Sequence, residues 1–300
     1  MAVHRKDIAG WQPWLAGSVS GFCTRASIQP LDVVKIRFQL QIEPIGVQGK
    51  YHSVSQCLRL IIKEEGIIGL WKGHASGQVL SVGYTGIEFG TFNFVRSEFA
   101  HLHFNSVISD FVSGGIAAAV ASVSVMPVDV IRTRFVGQGE PRLYSSFFSA
   151  ITLIYSKEGI RGFYRGTLPA IIQTIVKSSF IFSFYGIFKK SSKELFPNNP
   201  AISYFVSGGL SGCCSQLLMQ PLDVIKKRLQ VQGFESARLP FGRFQRYSSL
   251  LNCVSTVYKQ EGIKNGLYKG LVPSLLKAMC STTISFSVYE LVCDIFKNYA

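Results

Sequence analysis

Apolar residues dominate six stretches of this chain, and polar residues interrupt them at recurring places. Stretches at roughly 14–40, 107–135 and 202–230 are each long enough to cross a bilayer as a helix, for which about 20 predominantly apolar residues suffice. A second set follows at roughly 74–98, 167–189 and 271–296. Between the partners run "YHSVSQCLRLIIKEEG", "YSSFFSAITLIYSKEG" and "YSSLLNCVSTVYKQEG", with apolar residues at helical spacing and charges on the other side. These predict short amphipathic helices lying at a membrane interface. The unit of spanning helix, surface helix and spanning helix therefore occurs three times, at 11–104, 105–199 and 200–300. The fold class is an all-α membrane protein of six spans in three pseudo-symmetric repeats. An even number of spans puts both termini on one side.

The repeat is also visible residue by residue. "PLDVVKIR" at Pro30–Arg37 returns as "PVDVIRTR" at Pro127–Arg134 and "PLDVIKKR" at Pro221–Arg228. A glycine stands thirteen residues before each proline, at Gly17, Gly114 and Gly208. After each motif come an acid–glycine pair and then an aromatic, a base and a glycine: "WKG" ending at Gly73, "YRG" at Gly166 and "YKG" at Gly270. The third copy carries one extra residue in that last gap, so its turn must differ. Small residues four apart, such as Gly17 and Gly21, let helices approach closely in lipid.

Proline inside a spanning helix kinks it, because it lacks an N–H and crowds the preceding turn. The acids Asp32, Asp129 and Asp223 then sit at equivalent depths, each with a base one turn later: Lys35, Arg132 and Lys226. In a three-fold arrangement an acid of one helix can meet the base of the next. The predicted ring is Asp32–Arg132, Asp129–Lys226 and Asp223–Lys35. Paired charges facing a bundle interior are the kind a membrane tolerates. Such a ring closes one end, and its strength is limited by desolvation.

Composition agrees with this architecture and narrows the chemistry. Charged residues are 16% of the chain against about 25% in soluble proteins. The formal charge of +14 suits anionic lipid, an anionic solute or a nucleic acid. No aromatic-interleaved basic stripe marks a nucleic-acid binder. No nucleotide-binding glycine loop and no metal or triad spacing marks an enzyme, a resident cofactor or a metal site. The seven cysteines have no paired spacing and are expected to be small buried residues. "MAVHRKDIAG" lacks an apolar signal-peptide core, and no cleavable leader is expected.

The tripled Pro-x-acid-x-x-base-x-base motif, with its acid–glycine and aromatic–base–glycine companions, resembles the mitochondrial carrier family over Trp14 to Phe296. The resemblance implies a monomeric inner-membrane transporter working by alternating access, with the charged motifs as a matrix-side gate and both termini toward the intermembrane space. It implies braces at Gln39 and Gln230, with Val136 at the equivalent place in the second repeat. It implies a second, cytosolic-side gate at Asn93, Arg96, Lys189 and Glu290, weak because Glu290 is the lone acid available to Lys189 or Arg96. It also implies cardiolipin near Gly73, Gly166 and Gly270 and the bases beside them.

Cargo identity should be read where the repeats differ. Seven, eleven and fifteen residues past the three glycines lie Leu80, Gln173 and Lys277; Tyr84, Lys177 and Ser281; and Glu88, Ile181 and Ser285. Five residues before the prolines lie Arg25, Ser122 and Gln216. The resemblance places these near a central cavity. Arg25, Lys177 and Lys277 favour phosphate or carboxylate groups. Glu88 either holds a cationic part of the same molecule or pairs internally with a lysine. Gln173, Tyr84 and Gln216 complete the candidate set. The segments "GEPRLYSS", "LQVQGFESARLPFGRFQRYSSLLNC" and "KGHASGQVLSVGYTGIEF" resemble the branch of that family whose cargo is thiamine diphosphate, exchanged for nucleotides. Another nucleotide or phosphorylated cofactor remains the alternative cargo.

Overall fold

The computed structural model describes residues 12–43, 49–101, 106–139, 142–196, 200–235 and 244–299. Among them ten α-helices are found and no strand: α1 (Gln12–Leu40), α2 (Val54–Glu65), α3 (His74–His101), α4 (Ser106–Gly137), α5 (Phe147–Glu158), α6 (Ile160–Phe163), α7 (Thr167–Leu195), α8 (Pro200–Gln230), α9 (Leu250–Gly262) and α10 (Leu271–Tyr299). The six long helices, α1, α3, α4, α7, α8 and α10, run 28–32 residues, about 42–48 Å at 1.5 Å per residue. That length exceeds a hydrocarbon core of about 30 Å. Three stretches, Ser109–Gly137, Ile160–Leu195 and Leu250–Cys293, are also apolar enough by composition alone to be candidate spans. The motif-bearing α1 and α8 dilute their apolar character with charges that the fold then hides.

Each short helix starts and stops for local reasons. Ser53, Ser146 and Ser249 cap α2, α5 and α9, their side chains accepting from the backbone N–H of Gln56, Ser149 and Asn252. Their apolar faces enter the core at one-turn spacing: Cys57 and Ile61, Ala150 and Ile154, Cys253 and Val257. Gly66, Gly159 and Gly262 then turn the chain with positive φ, a conformation glycine adopts without a Cβ penalty. The extra residue of the third repeat has a visible result. The turn is a 3₁₀ segment at Ile67–Trp71, a single α-turn at α6, and a wider π-turn at Ile263–Leu267.

Packing joins the repeats cyclically. Helix α3 lies along α4, α7 along α8, and α10 closes back on α1, while α1, α4 and α8 touch one another. Pro30, Pro127 and Pro221 lie inside these last three helices. The carbonyl of Ala26, four residues before Pro30, loses its helical donor to the proline and accepts from Trp71 Nε1 instead (3.1 Å). Gly73, Gly166 and Gly270 carry positive φ and press against the neighbouring repeat. A Cβ there would lie 3.0 Å from Val136 Cγ2, 3.1 Å from the Lys226 carbonyl and 3.1 Å from Gln39 Cγ, respectively.

Candidate functional site

Where α1, α4 and α8 converge, their motif charges close into a ring. Asp32 meets Arg132, Asp129 meets Lys226 at 2.8 Å, and Asp223 meets Lys35 at 2.6 Å. The three anticipated pairs are thus brought together, and the acids are buried, none more than 7% exposed. Carboxylates so enclosed need every lone pair occupied. Asp32 also takes Lys277 from α10. Asp223 takes the amides of Gln173 (2.5 Å) and Gln216 (3.0 Å). Asp129 takes Lys227 (3.1 Å) and the amide of Gln230 (2.8 Å).

Gln230 therefore braces an ion pair, and Gln39 does not. Both amide atoms of Gln39 are buried without a hydrogen-bond partner among the described residues. Gln173 and Gln216 hold the Asp223 carboxylate instead, and the second brace at Gln39 that the family resemblance implies is not formed.

A further layer escaped the sequence reading. The last base of each motif turns to the acid of the acid–glycine pair: Arg37 to Glu65 (2.6 Å), Arg134 to Glu158 (2.5 Å) and Arg228 to Glu261. Each guanidinium also donates to backbone carbonyls of the next repeat, Arg37 to Val136, Arg134 to Gln230 and Gln232, and Arg228 to Gln39 and Gln41. Both partners recur in all three repeats, and that joint recurrence was the available signal. On α2, burial would raise the Glu65 carboxyl, but Arg37 and then Lys72 hold it below its ordinary value. Burial pushes the nearby Cys57 thiol up to about 12.

The candidate cargo residues fall into three groups. Lys277 and Gln173 are bonded to ring acids, and Gln216 bridges Asp223 to Lys177, whose ammonium donates to the Gln216 carbonyl at 3.3 Å. Arg25, half-buried, makes no hydrogen bond or ion pair among the described residues, and its Nε is buried without a partner. Glu88, also half-buried, makes no ion pair there; it accepts from the Tyr84 hydroxyl one turn away (3.3 Å). Internal pairing with a lysine, the alternative left open for Glu88, is not what the geometry contains. Cations near the ring and an unneutralised carboxylate above them suit a molecule with an anionic end and a cationic part.

The opposite end differs from expectation. Arg96 pairs with Asp110 on α4 at 2.8 Å, both side chains about half exposed. The reason is proximity, since α3 and α4 lie side by side. Asn93 is exposed, and Lys189 lies 5.6 Å from the Tyr185 ring. The Glu290 side chain lies outside the described residues. The bases beside the three glycines are also committed: Lys72 to Glu65 (2.6 Å), Arg165 to Glu158 (3.2 Å) and Lys269 to Glu43 (3.0 Å). All seven cysteines are free, three of them buried and four half-buried.

A family model described as "Mitochondrial carrier protein" matches residues 6–102, 104–195 and 197–300. The chain is 43% identical over 304 residues to the mitochondrial thiamine pyrophosphate carrier of Bos taurus, covering 98% of this chain and 95% of that protein. It is 42% identical over 299 residues to the carrier of the same name from Homo sapiens, covering 95% and 92%. It is 34% identical over 313 residues to the mitochondrial thiamine diphosphate carrier 1 of Arabidopsis thaliana, covering 94% and 93%.

Proposed function

The chain belongs to the mitochondrial carrier family, and on that premise we propose that it moves thiamine diphosphate into the matrix across the inner membrane, in exchange for nucleotides. The ring of Asp32, Asp129 and Asp223 with their bases is the matrix-side gate, closed in this conformation. The far end, with Asn93, Arg96, Lys189 and Glu290, is the cytosolic-side gate, and both termini face the intermembrane space. Transport alternates which end is shut. The relatives' names support the cargo.

One observation of the chain's own residues carries the reading: the separation of opposite charges along the cavity wall. Lys277, Lys177 and Glu88 stand seven, eleven and fifteen residues into their helices from equivalent glycines, steps of about 6 Å in depth. Among the described residues Arg25 has no hydrogen-bond or ion-pair partner, Lys177 bonds only to the neutral Gln216, and Glu88 makes no ion pair. A diphosphate settles on Arg25, Lys177 and Lys277 with charge-assisted hydrogen bonds. The thiazolium then lies toward Glu88. Gln173, Gln216 and Tyr84 orient these charges and line the space between them. An adenine nucleotide satisfies the cations and gives Glu88 less to do.

The protein acts as a monomer, its passage lying between its own helices. Cardiolipin head groups bind at the starts of α3, α7 and α10, where the first backbone N–H groups of each helix follow Gly73, Gly166 and Gly270. Lys72 and Lys269 contribute little there, because each already has a carboxylate.

Reconstituted protein should take up labelled thiamine diphosphate into liposomes preloaded with nucleotide. Lys177→Ala and Arg25→Ala should each abolish most uptake while unfolding temperature and cardiolipin binding stay near wild type. Normal uptake in both variants refutes the cargo site. Uptake of nucleotides alone replaces thiamine diphosphate as cargo.

A further inference from the structure

The three joints of the ring are unequal. Between its two bases the motif has one variable position, filled by Ile36 in the first repeat, Thr133 in the second and Lys227 in the third. Ile36 is buried in an apolar cluster. Thr133 and Lys227 instead meet each other across α4 and α8. The Lys227 ammonium donates to Asp129 (3.1 Å), to the Thr133 hydroxyl (2.8 Å) and to the Gln230 carbonyl (3.0 Å). An ammonium has three hydrogens, and all three are used. Thr133 in turn donates to the Asp129 carbonyl (2.7 Å). The resulting knot is buried, with Lys227 8% exposed and Thr133 and Gln230 fully covered.

The two joints made by α1 have no such knot. Asp32–Arg132 is supplemented by Lys277, which is 26% exposed and one of the proposed cargo cations, so that an anionic cargo can draw it away. Lys35–Asp223 is supplemented by Gln173 and Gln216, while the side-chain amide of Gln39, at the place that matches Gln230, has no hydrogen-bond partner among the described residues. The arginine clasps add one or two bonds at each joint: Arg134 donates to the third repeat at 3.0 and 2.8 Å, Arg37 to the second at 3.3 Å and Arg228 to the first at 3.2 Å.

We infer that Lys227 is a positioning residue that keeps α4 and α8 joined while α1 leaves the ring, so that the matrix-side gate opens first along both sides of α1. The inference rests on the ring being a gate, as proposed above. Lys227 is not among the proposed cargo residues, its ammonium being taken up by Asp129, Thr133 and Gln230. It acts on Asp129, and through it on the order in which buried charges separate. Interactions within one hydrogen-bonded network are coupled, so removing Lys227 weakens the Gln230 and Thr133 contacts as well.

Pulsed electron paramagnetic resonance on protein in liposomes tests this. Nitroxides on genetically encoded p-acetylphenylalanine at Ser55, Thr152 and Ser255, exposed sites on α2, α5 and α9, report the three inter-repeat distances and leave the native cysteines alone. On titration with thiamine diphosphate, the two distances from Ser55 should shift first, with the Thr152–Ser255 distance lagging. Lys227→Ile, which copies the first repeat, should abolish the lag and broaden the Thr152–Ser255 distance even without cargo. Lys227→Arg should restore it, and Lys227→Gln serves if the isoleucine variant does not fold. Equal shifts of all three distances in the wild type overturn the inference, as does an unchanged Thr152–Ser255 distribution in the Lys227 variants. If thiamine diphosphate moves nothing but Lys227→Ile still loosens that one distance, the cargo assignment fails and the strong joint stands.

Discussion

The two ends of the bundle carry similar residue types and hold them differently. At the motif end each carboxylate binds a base from another repeat, with at least one further donor, and is buried. At the far end Arg96 and Asp110 join neighbouring helices α3 and α4 and remain about half exposed. Three buried pairs that close into a ring lock α1, α4 and α8 together around an axis. The far-end pair also joins two repeats, but it links two helices already side by side and stays about half exposed, so it only steadies them. Among the described residues the same chemistry is therefore buried and ring-closed at one end and solvated at the other.

The difference should be large in stability. Asp129→Ala strands Lys226 and Lys227 in the interior, and removing one member of a buried pair costs about 3–5 kcal/mol. A marked fall in the thermal unfolding midpoint of detergent-purified protein measures it, and a fall no greater than for a far-end variant would erase the contrast. Reversing Asp223 and Lys35 together should recover about 1–3 kcal/mol relative to the summed single changes, as coupled partners do. A double variant no better than the singles means that the pair is not the unit. Arg96→Ala should cost only about 0.2–1 kcal/mol, less in high salt, because exposed pairs are screened. A large, salt-independent loss would make the far end a lock as well.

The last effect concerns reactivity. With its thiol raised to about 12 by burial, Cys57 stays protonated at pH 8 and should not react with a maleimide in folded protein. The half-buried Cys213 and Cys214 label faster. Rapid modification of Cys57, read by peptide mass mapping, would indicate that the motif end opens readily to solvent without cargo.

Much of this arrangement was legible beforehand. Six long helices and three surface helices follow from periodicity, and a different turn in the third repeat from one inserted residue. The cyclic pairing of Asp32, Asp129 and Asp223 followed from equal depths under three-fold repetition. The Arg–Glu clasps were hidden in plain view: both members recur, but spacings of 28, 24 and 33 residues across a loop do not tell which base meets which acid. The Arg96–Asp110 pair was not foreseen, because Asp110 belongs to no motif.

A repeat in one dimension settles depth and facing along each helix, because helical geometry is periodic and three copies average out accident. That was enough for fold class, for the ring and for the asymmetric residues Arg25, Lys177, Lys277 and Glu88. It could not rank partners standing at similar depths on different helices. Whether Asp223 takes Gln39 or Gln173, whether Lys277 stands alone or joins Asp32, and whether Lys227 faces lipid or Asp129 depend on how far each helix rotates and how closely its neighbours approach. Buried polar groups bond to whatever lies within about 3 Å, and only packing brings atoms that near.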